Sequence, residues 1–228
     1  MIAVQTGKPT RFPPIYYLVS RPVMTGIYTS MVSYESPLFG SGNFDNVIVY
    51  HKTRDAIISL MNTMWALTWK YQTTNSEQES HDTVPFIPDQ PYYAKIPLLT
   101  LPLISRCTDP SHNHILETLL SAGAIYSRSL SNPTIDFPLS INDQAFQDLC
   151  KAFGKCSNDD FWVAYPGVLL WVLLVGTAVA RGKKEAAFWM FYLSRTGSFP
   201  DAENWLAGNS AITKFLKIQM WMRQAAAT

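Results

Sequence analysis

Cys107, His112 and His114 fall within eight residues, and thiolate and imidazole are the side chains that suit a tetrahedral zinc ion. Their spacing argues against such a site. His112 and His114 alternate instead of sharing a helix face at i and i+4, and a fourth ligand, His81 or His51, has to come from a distant segment. The pair also falls where a helix starts, so the expectation is two histidines near a first helical turn and no metal. Cys150 and Cys156 have five residues between them, which matches neither a Cys-x-x-Cys redox pair nor a zinc-ribbon hook. Buried structural thiols are expected.

Gly40-Ser41-Gly42 offers a phosphate loop or a nucleophile elbow at first sight. No Lys-Ser/Thr follows it and the Gly-x-Ser-x-Gly spacing is missing, so a turn is expected. The carboxylates Asp45, Asp55, Asp82, Asp159, Asp160, Asp201 and Glu203 are scattered, with no pair whose context holds two of them against one substrate bond. Trp65, Trp69, Trp162, Trp171, Trp189, Trp205 and Trp221 can line an apolar ligand pocket, but aromatics on helices of an apolar-rich chain normally pack a core. The residues therefore assign no catalytic, cofactor-binding or metal site, and neither enzyme activity nor a cofactor is expected.

The elements that carry these residues are bounded first by composition. The chain has 228 residues, 47% hydrophobic and only 15% charged, which suits one domain, 1–228, with a sizeable core. A net charge of +1 gives no global field to draw it onto nucleic acid or an anionic membrane. Three cysteines, no Asn-x-Ser/Thr sequon and no uninterrupted apolar stretch near the N-terminus point to a reducing, intracellular setting without a secretory signal.

Prolines and glycines then punctuate the chain. Residues 1–46 carry Pro9, Pro13, Pro14, Pro22 and Pro37 and predict an irregular segment that wraps a helical body. Apolar residues at three- and four-residue steps predict a helix over Val47–Thr73. Residues 74–104 read as a mobile loop followed by a Pro-rich crossing segment. Asp109-Pro110-Ser111 opens a helix expected to run to Ser129, with Asn132-Pro133 beyond it. Ser140 and Asp143 resemble a capping box for a short helix through Phe153, closed by Gly154. Further helices are expected over Lys184–Leu193, before Thr196-Gly197, and over Ile212–Arg223. The sum is an all-α fold, an irregular array of about five or six helices around a central apolar helix, with a long Pro-rich N-terminal part.

That apolar helix decides between two classes of protein. Phe161 to Ala180 is a run of twenty residues without a charge, followed by Arg181, Lys183 and Lys184. A bilayer span with a basic flank fits this pattern, and so does a helix buried by its own protein. Tyr165-Pro166-Gly167 interrupts it early. Proline is well placed only in a helix's first turn, so the continuous run is nearer the fourteen residues Gly167–Ala180, the length of a core helix. Asp159-Asp160 is expected at its positive end and the basic cluster at its C-terminus. A single-span membrane protein anchored by 161–180 is the alternative, and a helical enzyme with an aromatic pocket is a third reading.

Three blocks carry a resemblance. HNHILETLLSAGAIYSRSL, His112 to Leu130, resembles the helix with an "IY" dipeptide in the regulatory regions of fungal zinc-cluster transcription factors. YPGVLLWVLLVGTAVA, Tyr165 to Ala180, is similar to the Pro step and apolar helix of the same regions, and AITKFLKIQMWMR, Ala211 to Arg223, to their closing helix. The blocks cover under half of the chain, in matching order and separation. The resemblance implies a nuclear, non-catalytic regulatory domain that acts through protein partners or a small apolar effector, usually placed C-terminal to a DNA-binding zinc cluster. This sequence departs from that pattern in having no six-cysteine cluster, no basic linker and no heptad segment. DNA binding is carried over to none of its residues.

Overall fold

The computed structural model describes residues 33–42, 44, 53–79, 110–131, 137–138, 140–196 and 202–227. The chain divides into two compact units, Met1–Met31 and Val32–Thr228, and all the described residues belong to the second. Its described part is all-α, with seven α-helices, one 3-10 turn and a single isolated bridge between Ser36 and Phe39. The helices are α1 (Arg54–Glu79), α2 (Pro110–Ser131), α3 (Asp143–Cys156), α4 (Asp160–Ala164), α5 (Pro166–Ala180), α6 (Ala186–Thr196) and α7 (Ala202–Ala227).

The apolar run is two helices because Pro166 separates them. Asp159 caps α4, its Oδ1 accepting from the Phe161 amide at 2.9 Å, and α4 ends after one turn at Tyr165, whose φ of −126° leaves the helical region. Pro166 then stands in the first turn of α5, where its missing amide proton leaves no hydrogen bond unmade. The expected acidic cap thus serves α4 directly, one turn ahead of the long helix. Eleven of the fifteen residues of α5 are buried, too many for a single stripe, so the helix is enclosed on most sides. It packs against α2, α3, α4, α6 and α7. At 1.5 Å per residue it is about 22 Å long, short of the roughly 30 Å hydrocarbon thickness of a bilayer. No described helix is long and apolar enough to cross a membrane.

Amphipathic partners cover it. Helix α3 buries Phe146, Leu149, Phe153 and Cys156 at three- and four-residue steps, and α7 buries Ala207, Ala211, Phe215, Ile218 and Met222 in the same rhythm. Helix α1 packs on α2 and α7 rather than on α5, which makes it an outer layer. Residues 33–42 are irregular and cross the α4–α5 junction. There the Ser33 amide donates to Ala164 O at 2.9 Å, and a Cβ on Gly167 would lie 2.1 Å from Tyr34 O.

Several boundaries differ from expectation. The first helix starts at Arg54, residues 47–52 lying outside the described set, and continues six residues past Thr73, so the loop expected from residue 74 does not begin there. Its polar end is held by back-bonding: the Thr73 and Thr74 hydroxyls donate to Lys70 O at 3.1 and 2.9 Å, and Asn75 Nδ2 to Tyr71 O at 2.7 Å. Gly154 does not close α3. It is exposed, with open space where a Cβ would stand, and burial of Phe153 and Cys156 on either side carries the helix on to Cys156. The Ser140–Asp143 capping box is not made either. Ser140–Asn142 forms the 3-10 turn and Asn142 caps without a side-chain bond, its Nδ2 donating to Phe137 O at 3.2 Å instead. Helix α6 runs Ala186–Thr196 instead of Lys184–Leu193, and α7 reaches well beyond Ile212–Arg223 at both ends.

Gly176 sets the distance between α5 and α6. A Cβ there would stand 2.3 Å from the ring of Trp189, which is fully buried and stacked 5.2 Å from Phe153. Helix propensity alone favours Gly176→Ala by about 1 kcal/mol, whereas overpacking against an immobile ring costs about 1 to 3 kcal/mol. The clash should win. Chemical denaturation of Gly176→Ala is expected to show a net loss of stability, and a gain would mean that Trp189 yields.

Candidate functional site

Tyr126 on α2 is the point at which four helices meet. Its hydroxyl lies 2.8 Å from Thr68 Oγ1 of α1, and Thr68 Oγ1 is also 2.8 Å from Met64 O. Because a carbonyl can only accept, Thr68 donates to Met64 O and Tyr126 donates to Thr68. Burial pushes the Tyr126 phenol well above its ordinary range, which keeps it a neutral donor. Its ring meets Trp171 of α5 edge-on at 5.8 Å and stacks on Phe215 of α7 at 6.4 Å, and Phe215 in turn meets Phe137 at 5.5 Å. Such ring pairs add about 0.5 to 1.5 kcal/mol each beyond the area they bury.

A second aromatic group lies between α3, α4 and α6. Phe153 contacts Trp162, Phe188, Trp189 and Tyr192 with centroids 5.2 to 6.1 Å apart. Of the seven tryptophans, Trp162, Trp171, Trp189 and Trp221 are buried, Trp65 is half-buried against Trp69, and Trp69 and Trp205 are exposed. Core packing thus takes most of them. The indole nitrogens of Trp171 and Trp189 are buried without a hydrogen-bond partner, whereas Trp162 Nε1 donates to Cys156 O at 2.7 Å.

Neither described thiol is set up as a nucleophile. Cys156 is buried, with Thr118 Oγ1 3.4 Å from its sulfur, and Cys150 is half-buried beside Trp189, whose indole favours the thiolate without reaching hydrogen-bond geometry. Burial outweighs these neighbours and pushes both thiols up to about 11. With a folded pKa above the ordinary thiol value of about 9, the folded state holds its protons longer than the unfolded chain. Stability contributed by Cys150 and Cys156 is therefore present below about pH 9 and lost as pH rises towards about 11. Denaturant titrations at pH 8 and pH 10 should show the lower stability at pH 10, with the difference reduced in a Cys150→Ala/Cys156→Ala variant. An equal pH effect in the variant would remove the thiols as its cause.

The remaining sequence candidates do not converge. His114 is on α2, its Nδ1 3.0 Å from Glu117 Oε2, while Cys107, His51, His81 and the His112 side chain lie outside the described residues. Among the described residues no three His, Cys, Asp or Glu side chains gather in a way that holds a metal ion. Gly40-Ser41-Gly42 is a turn, with φ of +105° at Gly40 and +74° at Gly42. Its serine is held by an acid the sequence did not single out: Glu35 Oε1 accepts from the Ser41 amide at 3.1 Å and lies 3.4 Å from its hydroxyl. In the basic cluster, Lys183 pairs with Asp143 and lies over the Phe146 ring at 4.9 Å, and Lys184 lies 3.8 Å from Glu185. Of the scattered carboxylates, Asp55 pairs with Arg54 at 3.3 Å and Asp159 caps α4. Chemically the described interior offers protonated thiols, a neutral phenol and unpartnered indole donors inside a packed aromatic core. Compared with known proteins, the chain matches no protein family, no curated protein and no solved structure.

Proposed function

We propose that this chain is a non-catalytic regulatory or interaction domain of the kind found in fungal zinc-cluster transcription factors, working in the nucleus through protein partners or a small apolar effector. One observation carries the reading. Tyr126, Trp171 and Phe215 come one from each of the three blocks that resemble those regulatory regions, and the Tyr126 ring packs on both of the others. Segments that look alike only in sequence have no reason to share one buried node, whereas blocks that jointly specify a fold do. The all-α architecture agrees with the resemblance, and the buried, protonated thiols favour a structural over a catalytic use of the cysteines.

The test is transcriptional. The chain is fused to a heterologous DNA-binding module and brought to a reporter promoter in a fungal cell. It should raise or lower reporter output several-fold, and a Trp171→Ala fusion of equal abundance should lose the effect. A fusion that leaves output unchanged, at full abundance and folded, would overturn the reading.

A further inference from the structure

Helix α7 presents an outer face that the core does not use. Positions 205, 206, 209, 213, 216, 217, 220, 223 and 224 are exposed, and at 3.6 residues per turn they occupy about a third of the helix circumference. The face is apolar in two places: Trp205 and Leu206 are 54% and 60% exposed, Leu216 and Met220 57% and 43%. Lys217, lying over the Trp221 ring at 4.8 Å, marks one margin and Arg223 the other. No Asp or Glu occurs from Asn204 to Thr228.

We propose that this face docks an acidic amphipathic helix of a partner protein, with apolar side chains against Leu216 and Met220 and carboxylates against Lys217 and Arg223. The proposal rests on the interaction-domain reading and gives it a surface. Charge selects the occupant. A second copy paired through the same face would bring the cations of both chains into one interface without an Asp or Glu from residues 204–228 of either, and like charges across an interface disfavour pairing. An anionic membrane fits less well, because Asn209 and Thr213 divide the apolar positions and the opposite face of α7 is committed to the core through Phe215, Ile218 and Met222. A helix with apolar residues at i, i+3, i+4 and i+7 and acids on its flanks meets both the apolar and the cationic requirement.

The probe is a synthetic helical peptide of that pattern with Glu on its flanks, compared with peptides carrying Gln or Lys in place of Glu. Fluorescence anisotropy with the full chain should show the Glu peptide binding at least about tenfold more tightly than the Gln peptide, with the preference falling as salt rises. Leu216→Ser/Met220→Ser should weaken it by about tenfold or more while the melting curve stays in place, since both side chains are exposed. Lys217→Glu/Arg223→Glu should lose the Glu peptide and gain the Lys peptide, a reversal that an unfolded variant would not show. Equal binding of the three peptides, or none at millimolar concentration, overturns the proposal. So does a dimer that Leu216→Ser dissolves, or binding to phosphatidylserine vesicles without binding to the peptide. Loss of peptide binding with an intact reporter effect removes only this face. Peptide binding without a reporter effect removes only the transcriptional reading.

Discussion

Leu173→Asp should abolish cooperative folding of the helical unit. Leu173 is fully buried in the middle of α5, the helix packed against α2, α3, α4, α6 and α7. A carboxylate there has no water and no designed partner, and an unpaired buried charge costs several kcal/mol even after the protein relaxes, against a typical total stability of about 5 to 15 kcal/mol. Protonation is the cheaper escape. The introduced acid should have a raised pKa when folded, so whatever stability the variant keeps should rise as pH falls through that pKa and be lowest at neutral pH. Urea unfolding followed by circular dichroism at pH 7 and pH 4 reads both effects. A cooperative transition at pH 7 within about 1 kcal/mol of the parent would show that position 173 reaches solvent.

Trp171→Ala is the second large effect. The ring is fully buried, meets Tyr126 edge-on and belongs to α5, which contacts both α2 and α7. Truncating a buried tryptophan to alanine costs about 3 to 5 kcal/mol from lost transfer energy and the cavity left behind. Trp171→Phe should cost much less, because it also deletes an indole N–H that is buried without a partner, and such an orphan donor carries a penalty of about 1 to 3 kcal/mol. Equilibrium denaturation of both variants checks the pair. If phenylalanine is as damaging as alanine, the Trp171 N–H has an acceptor after all, and a bound group or water becomes the first place to look for it.

The parts of this fold legible in the sequence are those set by local rules. Pro166 in a first turn, the three- and four-residue steps of α1, and the fourteen-residue limit of the apolar run all follow from backbone geometry and periodicity. Other features depend on neighbours that sequence does not reveal. Thr73, Thr74 and Asn75 look like loop residues, yet once tertiary contacts hold α1 their side chains satisfy its carbonyls and the helix goes on. Gly154 looks like a stop, and the burial of Phe153 and Cys156 overrides it. The Thr68–Tyr126 bond joins residues 58 apart, so no window of sequence contains it. Which apolar residues of AITKFLKIQMWMR turn outward was equally hidden. Leu216 and Met220 differ from Phe215, Ile218 and Met222 only in where α7 meets the core. Packing of α7 on α5 and α1 turns Leu216 and Met220 outward.

Residues 166–180 form an interior helix that the surrounding helices enclose on most sides. Native-state hydrogen exchange in buffer without detergent measures this. The amides of Leu169 to Ala180 should be among the slowest in the chain and exchange only through global unfolding, with the same free energy as urea denaturation reports. Exchange of those amides within seconds in the folded protein, or a chain that stays in solution only with detergent, would contradict it.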